Sequence, residues 1–277
     1  MSAAGVTVVL SGGGAKTAAH LGAARAIAEA GLTPARYVAT SMGAVVAAAL
    51  AGGGAPAELV DRLAEAGRTG VARDRLALVT GFFARSLLRA GPFRRAVEVL
   101  VPARRFADLS LPLTVTAVDL DTGEQVLFGA GGKDAPLVDV LCAACALPVY
   151  FAPVVLAGRR LGDGGLRGPL PLAVAARLAA ELVIAVDVGP GFDGADAGPV
   201  PPNLPPVIRA HDEAVGALMA DATAAQLALW RADPGRPPLV YVRPRVERNA
   251  TFRLDRMRLY VEDGYRAARD ALAARRP

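Results

Sequence analysis

The sequence contains few of the residues from which disulfide frameworks and metal sites are built. Its 277 residues include two cysteines and two histidines. These are too few soft ligands for a structural zinc site, and we expect neither a metal nor another cofactor. The cysteines, Cys142 and Cys145, have a C-x-x-C spacing, which suits either redox chemistry or two small buried side chains one helical turn apart. We favour buried side chains because no thioredoxin-like pattern surrounds the pair.

Long uncharged apolar segments are also scarce. The stretch from residue 42 to residue 57 lacks charge but is interrupted by three glycines and Pro56. It falls short of the roughly 20 apolar residues that a membrane-spanning helix needs. The apolar run near the N-terminus, VTVVL, is too short for a signal peptide. We therefore expect a cytoplasmic protein.

Charge is sparse and mildly basic. Charged residues make up 21% of the chain, hydrophobic residues make up 53%, and the net charge is +5. The arginines are scattered, and no basic run alternates with aromatic residues, so nucleic acid is not an expected partner. A basic excess favours acidic membrane surfaces or anionic substrates. We therefore expect transient, peripheral contact with the inner surface of a membrane.

Apolar runs alternate with helical patterns along the chain. Short runs that are typical of buried strands occur at residues 6–10, 36–40, 182–187 and 239–244, with helical segments between them. This alternation predicts an α/β fold, a three-layer sandwich whose central sheet is mainly parallel and covered on both faces. A D-T-G turn at residues 121–123 predicts an additional β-hairpin. Since neither a repeat nor a boundary is visible, we expect a single domain over residues 1–277.

Three further segments carry specific expectations. The region 68–110 has a helical pattern with predicted breaks at Gly81 and at the Gly91–Pro92 pair. The segment GPLPLAVAARLAAEL, residues 168–182, predicts another helix. Residues 189–206 are rich in proline, glycine and aspartate, which predicts a long irregular loop. Because this loop follows a strand, we expect a mobile lid that borders the site.

Polar or glycine-rich segments follow three of the predicted strands. They are SGGGAKT at residues 11–17, the turn that carries Ser41, and GDGG at residues 162–165. Ligands of open α/β sheets gather at the carboxyl ends of the strands. The glycines let backbone amides point inward in front of a helix N-terminus, so the first segment can hold a phosphate or an oxyanion. Its spacing matches neither a Walker A loop nor a dinucleotide-binding loop, and a simple tight turn is the alternative.

Ser41 stands where a strand gives way to an alanine-rich helix, which is the setting of a nucleophile elbow. Two activating bases are compatible with the sequence. The order Ser41, Asp163, His211 matches that of an α/β-hydrolase triad. Alternatively, Asp163 takes the proton of Ser41 directly. Each of the two histidines, His20 and His211, also has a purely structural interpretation.

The ordered motifs resemble those of the patatin-like phospholipases, in particular the bacterial group similar to the neuropathy-target-esterase domain. The resemblance rests on LSGGGAKTAAHLGAARAIAEAGL, on ATSMGAVVAAALAGG and on CALPVYFAPVVLAGRRLGDGGLRGPLPL. The segments LVYVRPRV and GYRAARDAL resemble the family's C-terminal strand and helix. Two positions depart from the family pattern: Ala39 replaces the first glycine of the elbow, and Thr17 replaces the glycine that ends the oxyanion motif.

The resemblance implies a serine acyl hydrolase of lipid esters, of the phospholipase A or lysophospholipase type, without a catalytic histidine. It implies a dyad of Ser41 and Asp163 that works through an acyl-serine intermediate. The remaining implied site residues are the oxyanion loop Gly12, Gly13, Gly14, Ala15 and Lys16, the elbow positions Ala39 and Gly43, and the turn Gly164 and Gly165.

Two other functions stay open from the sequence. An acyltransferase or thioesterase that acts on carrier-bound acyl chains would use the same acyl-serine intermediate. A weakly active or inactive member would bind lipid without hydrolysing it. The presence of both Ser41 and Asp163 argues against the inactive binder, because binding requires neither side chain.

Overall fold

The apolar runs of the sequence form the central sheet. The structure is a computed structural model that describes residues 5–70, 86–191, 205–247 and 250–275. Within these ranges, eight strands join in one sheet. They are β1 (Val6–Leu10), β2 (Pro34–Thr40), β3 (Leu113–Asp119), β4 (Gln125–Gly129), β5 (Val154–Leu156), β6 (Arg159–Asp163), β7 (Leu182–Val186) and β8 (Leu239–Val242).

The predicted mainly parallel sheet is confirmed. The strand order is β5-β6-β3-β2-β1-β7-β8, and β4 also pairs with β3. Strands β3, β2, β1, β7 and β8 run parallel, whereas β4 and β6 are antiparallel to β3 and β5 is antiparallel to β6. The β3–β4 pair is the hairpin that the D-T-G turn predicts. The carboxyl ends of β1, β2 and β7 therefore meet at one edge.

Helices cover both faces of the sheet, as the three-layer prediction requires. Val8 and Leu10 of β1 pack into one apolar cluster with the helices after β1 and β2. Val9 faces the other way and packs with Leu227 and Trp230. The helices are α1 (Ala18–Glu29), α2 (Met42–Ala51), α3 (Pro56–Gly70), α4 (Ala90–Leu100), α5 (Leu137–Ala144), α6 (Leu172–Ala175), α7 (Pro206–Ala232) and α8 (Met257–Ala273).

Two local predictions are wrong. Gly91–Pro92 does not break a helix, since α4 begins at Ala90 and runs through both residues. Proline is tolerated there because the first turn of a helix has no acceptor for its missing N–H. The helix predicted over residues 168–182 is a single turn, α6, and the following residues close in short i→i+3 hydrogen bonds. The predicted break at Gly81 lies outside the described residues.

Most of the predicted lid also lies outside the described residues, which resume at residue 205 after residue 191. In the parts of the chain that the structure does describe, no helix has both the length and the apolar character needed to cross a bilayer.

Helices α1 and α8 pack so closely that each has a glycine at the contact. A Cβ at Gly22 would collide with the carbonyl oxygen of Val261, and a Cβ at Gly264 would collide with that of Ala19. The close contact fixes α1, and with it the glycine loop that precedes α1.

We expect Gly22→Ala to destabilise the fold, because one methyl group would force two helix backbones apart. Overpacking of this kind costs about 1–3 kcal/mol. Gly216→Ala is the matched control on α7, where the nearest atom to a new Cβ is 3.8 Å away. That variant should keep or gain stability, by up to about 1 kcal/mol. Urea unfolding measures both, and equal stabilities of the two variants would contradict a tight α1–α8 contact.

Candidate active site

Ser41 is held on a strained turn between β2 and α2. Its backbone has φ 53° and ψ −139°, a combination that non-glycine residues rarely adopt. Helix α2 begins at the next residue, Met42, so the partial positive charge of its N-terminus lies behind the serine. Gly43 makes the turn fit, because a Cβ there would collide with the carbonyl of Ser11 at the end of β1.

Asp163 ends β6 and contacts Ser41 directly. The Ser41 Oγ donates a hydrogen bond to Asp163 Oδ2 at 2.7 Å. The other carboxylate oxygen, Oδ1, accepts the N–H of Gly165 at 2.8 Å. Gly164 is required between them, since a Cβ would collide with Thr116 of β3. The turn after β6 therefore fixes one carboxylate oxygen and leaves the other facing the serine.

The surroundings of Asp163 disfavour its charge. The side chain is almost fully buried, and no Lys or Arg in the described ranges forms an ion pair with it. Burial raises the pKa of Asp163 to about 6, against the opposing effect of its hydrogen bonds with Ser41 and Gly165. A carboxyl with this pKa can accept and return a proton near neutral pH.

Three of the five amides predicted for the oxyanion hole already donate hydrogen bonds within the protein. These are Gly12 N–H to Pro169 O at 3.0 Å, Ala15 N–H to Thr251 O at 2.8 Å and Lys16 N–H to Gly13 O at 3.3 Å. In the described part of the chain, the amides of Gly13 and Gly14 have no hydrogen-bond acceptor. The geometry therefore narrows the candidate donors to Gly13 and Gly14.

The two departures from the family pattern fit without strain. Thr17 has helical dihedrals, φ −63° and ψ −11°, and its hydroxyl donates to Gly14 O at 2.7 Å. The positive φ of the loop, +59°, occurs at Gly14 itself. Ala39 is fully buried in β2, where it pairs with Leu10 and Val115. Thr17 therefore closes the loop, which does not need a glycine at this position.

A buried ionic cluster lies behind the glycine loop. Arg243 pairs with Asp187 at 3.2 Å, and Tyr241 donates its hydroxyl to the same carboxylate at 2.8 Å. The Lys16 side chain is also buried, and burial followed by the charge of Arg243 lowers its pKa to about 8. Sequence reasoning missed this cluster because its members come from three segments that no motif connects.

Neither histidine contacts the Ser41–Asp163 pair. His20 is buried in α1, and its Nε2 lies 2.9 Å from the carbonyl oxygen of Ser11. His211 lies on α7, where its Nδ1 is 3.3 Å from a carboxylate oxygen of Asp212. The geometry therefore favours the direct Ser–Asp alternative over the Ser-Asp-His triad.

Both cysteines are free thiols. Burial raises the pKa of Cys142 to about 11, and burial and then the Asp163 carboxylate raise that of Cys145 well above its usual range. These pKa shifts disfavour the thiolate that redox chemistry requires. Within the described ranges, no group of three or more His, Cys, Asp or Glu side chains is arranged to hold a metal ion.

Two aromatic side chains from distant segments pack together next to the residue that holds the glycine loop, and sequence reasoning missed them. The Tyr150 ring lies 5.0 Å from that of Phe252, and its hydroxyl donates to Asp212 on α7. Phe252 follows Thr251, whose carbonyl anchors the glycine loop. Only the tertiary packing of distant segments brings these rings together, so no local sequence pattern could have identified them.

A serine on a strand–helix turn, a carboxylate beside it and a glycine loop thus lie together on a mainly parallel α/β sheet. The sequence profile of the patatin-like phospholipase family matches residues 8–176. The chain belongs to this family.

Individual relatives agree with the profile. An uncharacterised NTE family protein of Mycobacterium tuberculosis H37Rv is 35% identical over 195 residues, which cover 70% of this chain and 51% of that protein. Human patatin-like phospholipase domain-containing protein 6 is 27% identical over 186 residues, 66% of this chain and 13% of that protein. The chain therefore spans about half the length of the mycobacterial relative.

A solved structure has a similar fold. The crystal structure of VipD from Legionella pneumophila superposes with a TM-score of 0.51 at 14% sequence identity. The match covers 98% of this chain and 67% of that one. The patatin-like fold predicted from the sequence is therefore confirmed.

We expect Asp163→Asn to stabilise the protein at pH 8. The folded-state pKa of about 6 is above the unfolded value, so ionised Asp163 destabilises the native state above pH 6. The destabilisation is on the order of 3 kcal/mol at most. It disappears as pH falls through 6 towards 4, since the native carboxyl then gains its proton. Urea unfolding at both pH values should show the advantage of the variant shrinking at low pH.

Asp187→Asn is the control for this experiment, because Asp187 is equally buried but paired with Arg243. It should destabilise the protein at pH 8, since the partly buried Arg243 loses its ion pair with the carboxylate. If Asp163→Asn also lost stability at pH 8, the result would contradict the inference that ionised Asp163 destabilises the native state.

Proposed function

We propose that the chain is a serine acyl hydrolase of lipid esters, of the phospholipase A or lysophospholipase type. Ser41 is the nucleophile, Asp163 is the general base, and the amides of Gly13 and Gly14 stabilise the oxyanion. The observation that carries the proposal is the 2.7 Å hydrogen bond from Ser41 Oγ to the buried Asp163 carboxylate.

In the proposed reaction Asp163 takes up and returns a proton twice, once when the acyl-serine forms and once when it is hydrolysed. Ser41 Oγ attacks the ester carbonyl while Asp163 Oδ2 takes its proton, and the carbonyl oxygen becomes an oxyanion beside the glycine loop. Asp163 then returns the proton to the departing alcohol, which leaves an acyl-serine. Water then attacks this ester while Asp163 takes its proton, and Asp163 returns that proton to Ser41 Oγ as the acyl–Oγ bond breaks, which releases the carboxylic acid. The raised pKa of Asp163 supports both directions of transfer.

Ser41→Ala and Asp163→Asn should each lower the turnover of a soluble short-chain ester by at least about a thousandfold, because the two residues act as a unit. The double variant should be little worse than either single one. Ser41→Ala should also abolish labelling by a fluorophosphonate probe. Product analysis with phospholipids, lysophospholipids and acyl thioesters would identify the substrate class.

The matched controls are Ser110→Ala and Asp119→Asn, an exposed serine and a buried, ion-paired aspartate at the end of β3. Both should keep their turnover. His211→Ala should lower the turnover by less than about tenfold, because His211 contacts Asp212 and is not the proposed base. Loss of a general base would lower the turnover about a hundredfold or more. A thousandfold loss in His211→Ala would replace the dyad with the triad.

We also propose that α7 brings the site to a lipid surface. Val207, Leu218 and Leu229 are 62%, 71% and 71% exposed, and their spacing of 11 residues, three helical turns, puts them on one side of the helix. Met219 of the same helix packs beside Gly165 in the turn after Asp163, where a Cβ would lie 3.2 Å from Met219 Cε. The net charge of +5 favours anionic lipid.

Leu218→Asp should weaken co-sedimentation with vesicles of equal parts phosphatidylglycerol and phosphatidylcholine, because it adds a charge to the apolar stripe. Val99→Asp is the control: this side chain is 60% exposed on α4, which packs on the opposite face of the sheet. The control should sediment as the wild type does. Equal sedimentation of both variants would exclude α7 as the contact.

A further inference from the structure

Two threonines form a hydroxyl pair next to the Ser41 turn. Thr40 is the last residue of β2, and Thr116 is its register partner on β3. Their Oγ1 atoms lie 2.6 Å apart, so one hydroxyl donates a hydrogen bond to the other. Both side chains are fully buried, and neither is therefore in a position to contact a substrate.

The hydroxyl pair lies where two strand pairings meet. The pairing of β2 with β3 ends at Thr40 and Thr116, and Ser41 follows immediately. The antiparallel pairing of β3 with β6 has its end at the next residue of β3, Ala117, which is opposite Asp163. The strands that carry the serine and the aspartate are therefore joined to β3 at adjacent positions.

The turn that fixes Asp163 packs on the same two threonines. A Cβ at Gly164 would lie 2.3 Å from Thr116 Oγ1. A Cβ at Gly165 would lie 3.8 Å from Thr40 Cγ2. Gly165 also donates its N–H to Asp163 Oδ1 at 2.8 Å. A displacement of either threonine would therefore displace the turn that holds the carboxylate.

The hydrogen bond brings the two threonine side chains closer together than an apolar contact would allow. Two carbon atoms in contact lie about 3.5–4.0 Å apart, and a carbon and an oxygen lie about 3.3–3.6 Å apart. A methyl group in place of either hydroxyl would consequently widen the 2.6 Å contact by roughly 1 Å. Misplacement of a reacting group by about 1 Å can lower a rate about a hundredfold.

We infer that the Thr40–Thr116 pair is a positioning element that sets the separation of Ser41 and Asp163. The inference rests on the proposed function, in which a proton passes directly between these two side chains. The pair holds β2 and the turn after β6 against β3, and it thereby keeps Ser41 Oγ at 2.7 Å from Asp163 Oδ2.

Thr116→Val tests the inference, because valine has the shape of threonine with a methyl group in place of the hydroxyl. With a soluble short-chain ester, kcat should fall at least about tenfold with little change in KM, since the dyad moves and the substrate contacts do not. Thr40→Val should repeat this loss. Thr116→Ser keeps the hydroxyl and should retain near-wild-type kcat. Unchanged kcat in both valine variants, or an equal loss in Thr116→Ser, would overturn the inference.

Thr114→Val is the matched control, two residues earlier on β3. Thr114 is also buried, and its hydroxyl donates to the carbonyl oxygen of Ala130 at 2.6 Å, just after β4. This variant loses a buried hydrogen bond too, so urea unfolding should show a loss of stability. Its kcat should match the wild type, because the Thr40–Thr116 contact stays intact. A loss of kcat as large as that in Thr116→Val would contradict a specific positioning role.

The double variant Thr40→Val, Thr116→Val separates positioning from stability. Each single variant leaves one buried hydroxyl without its partner, whereas the double variant removes both polar groups, which is nearly neutral for stability. Stability should therefore recover in the double variant. Its kcat should stay low, because two methyl groups keep the side chains apart. Recovery of kcat together with stability would show that the pair has a purely structural role.

The pH profile is a readout that a loss of stability would not move. The hydrogen bond from Ser41 lowers the pKa of Asp163, against the larger effect of burial, which raises it to about 6. When the two side chains separate, this pKa should rise, so the acid limb of kcat/KM in Thr116→Val should move to higher pH. The Cys145 thiol stays protonated in this range, because burial raises its pKa well above its usual range. An acid limb that does not move would contradict a wider Ser41–Asp163 separation.

Ser41→Ala distinguishes failure of this inference from failure of the proposed function. If the wild type does not hydrolyse the ester, or if Ser41→Ala hydrolyses it equally well, the proposed nucleophile is wrong and the inference fails with it. If Ser41→Ala is inactive while both valine variants keep full kcat, only the inference is wrong.

Discussion

The candidate site depends on Asp163, a buried carboxylate that forms no ion pair within the described residues. Asp163 reaches Ser41 only from the end of β6, and β6 is held in place by its antiparallel pairing with β3. The two hydrogen bonds that Asp163 accepts, from Ser41 and Gly165, offset part of its desolvation but do not cancel it. A neighbouring arginine would stabilise the charge, and it would also make the carboxylate a poorer base. The lack of such an ion pair within the described ranges therefore serves the proposed chemistry at the expense of stability.

Close backbone approaches bring this carboxylate to the serine. Gly43 lets α2 start against the end of β1, and Gly164 lets the turn after β6 lie on β3. Gly12 has a similar role, because a Cβ there would lie 2.9 Å from the Cβ of Ser41. Because glycine has no Cβ, two segments of the chain can approach closely at each of these positions. The site consequently consists of short side chains on rigid strand ends, which fixes their distances without support from long flexible groups.

Sequence patterns predict the local parts of this arrangement and miss those that depend on distant packing. The parallel strands, the hairpin and the elbow follow from apolar runs and turn residues, and the family motifs point to Ser41 and Asp163. The same patterns suggest five amides for the oxyanion loop. Pro169 and Thr251, far along the chain, accept the amides of Gly12 and Ala15. Single-sequence periodicity contains no information about such contacts, and it likewise missed that Pro92 sits in the first turn of α4.

Among the buried aspartates at strand ends in the described residues, Asp163 and Asp187 have different partners, which suit one to chemistry and the other to structure. Asp187, after β7, accepts hydrogen bonds from Tyr241 and Gly189 and pairs with Arg243. These contacts use both of its oxygens and anchor the segment behind the glycine loop. Asp163 has one oxygen fixed by a backbone amide and the other bonded to a hydroxyl whose proton is removable. The ion-paired Asp187 holds together the segments behind the loop, and Asp163, which has no ion pair within the described ranges, retains the basicity that the proposed reaction requires.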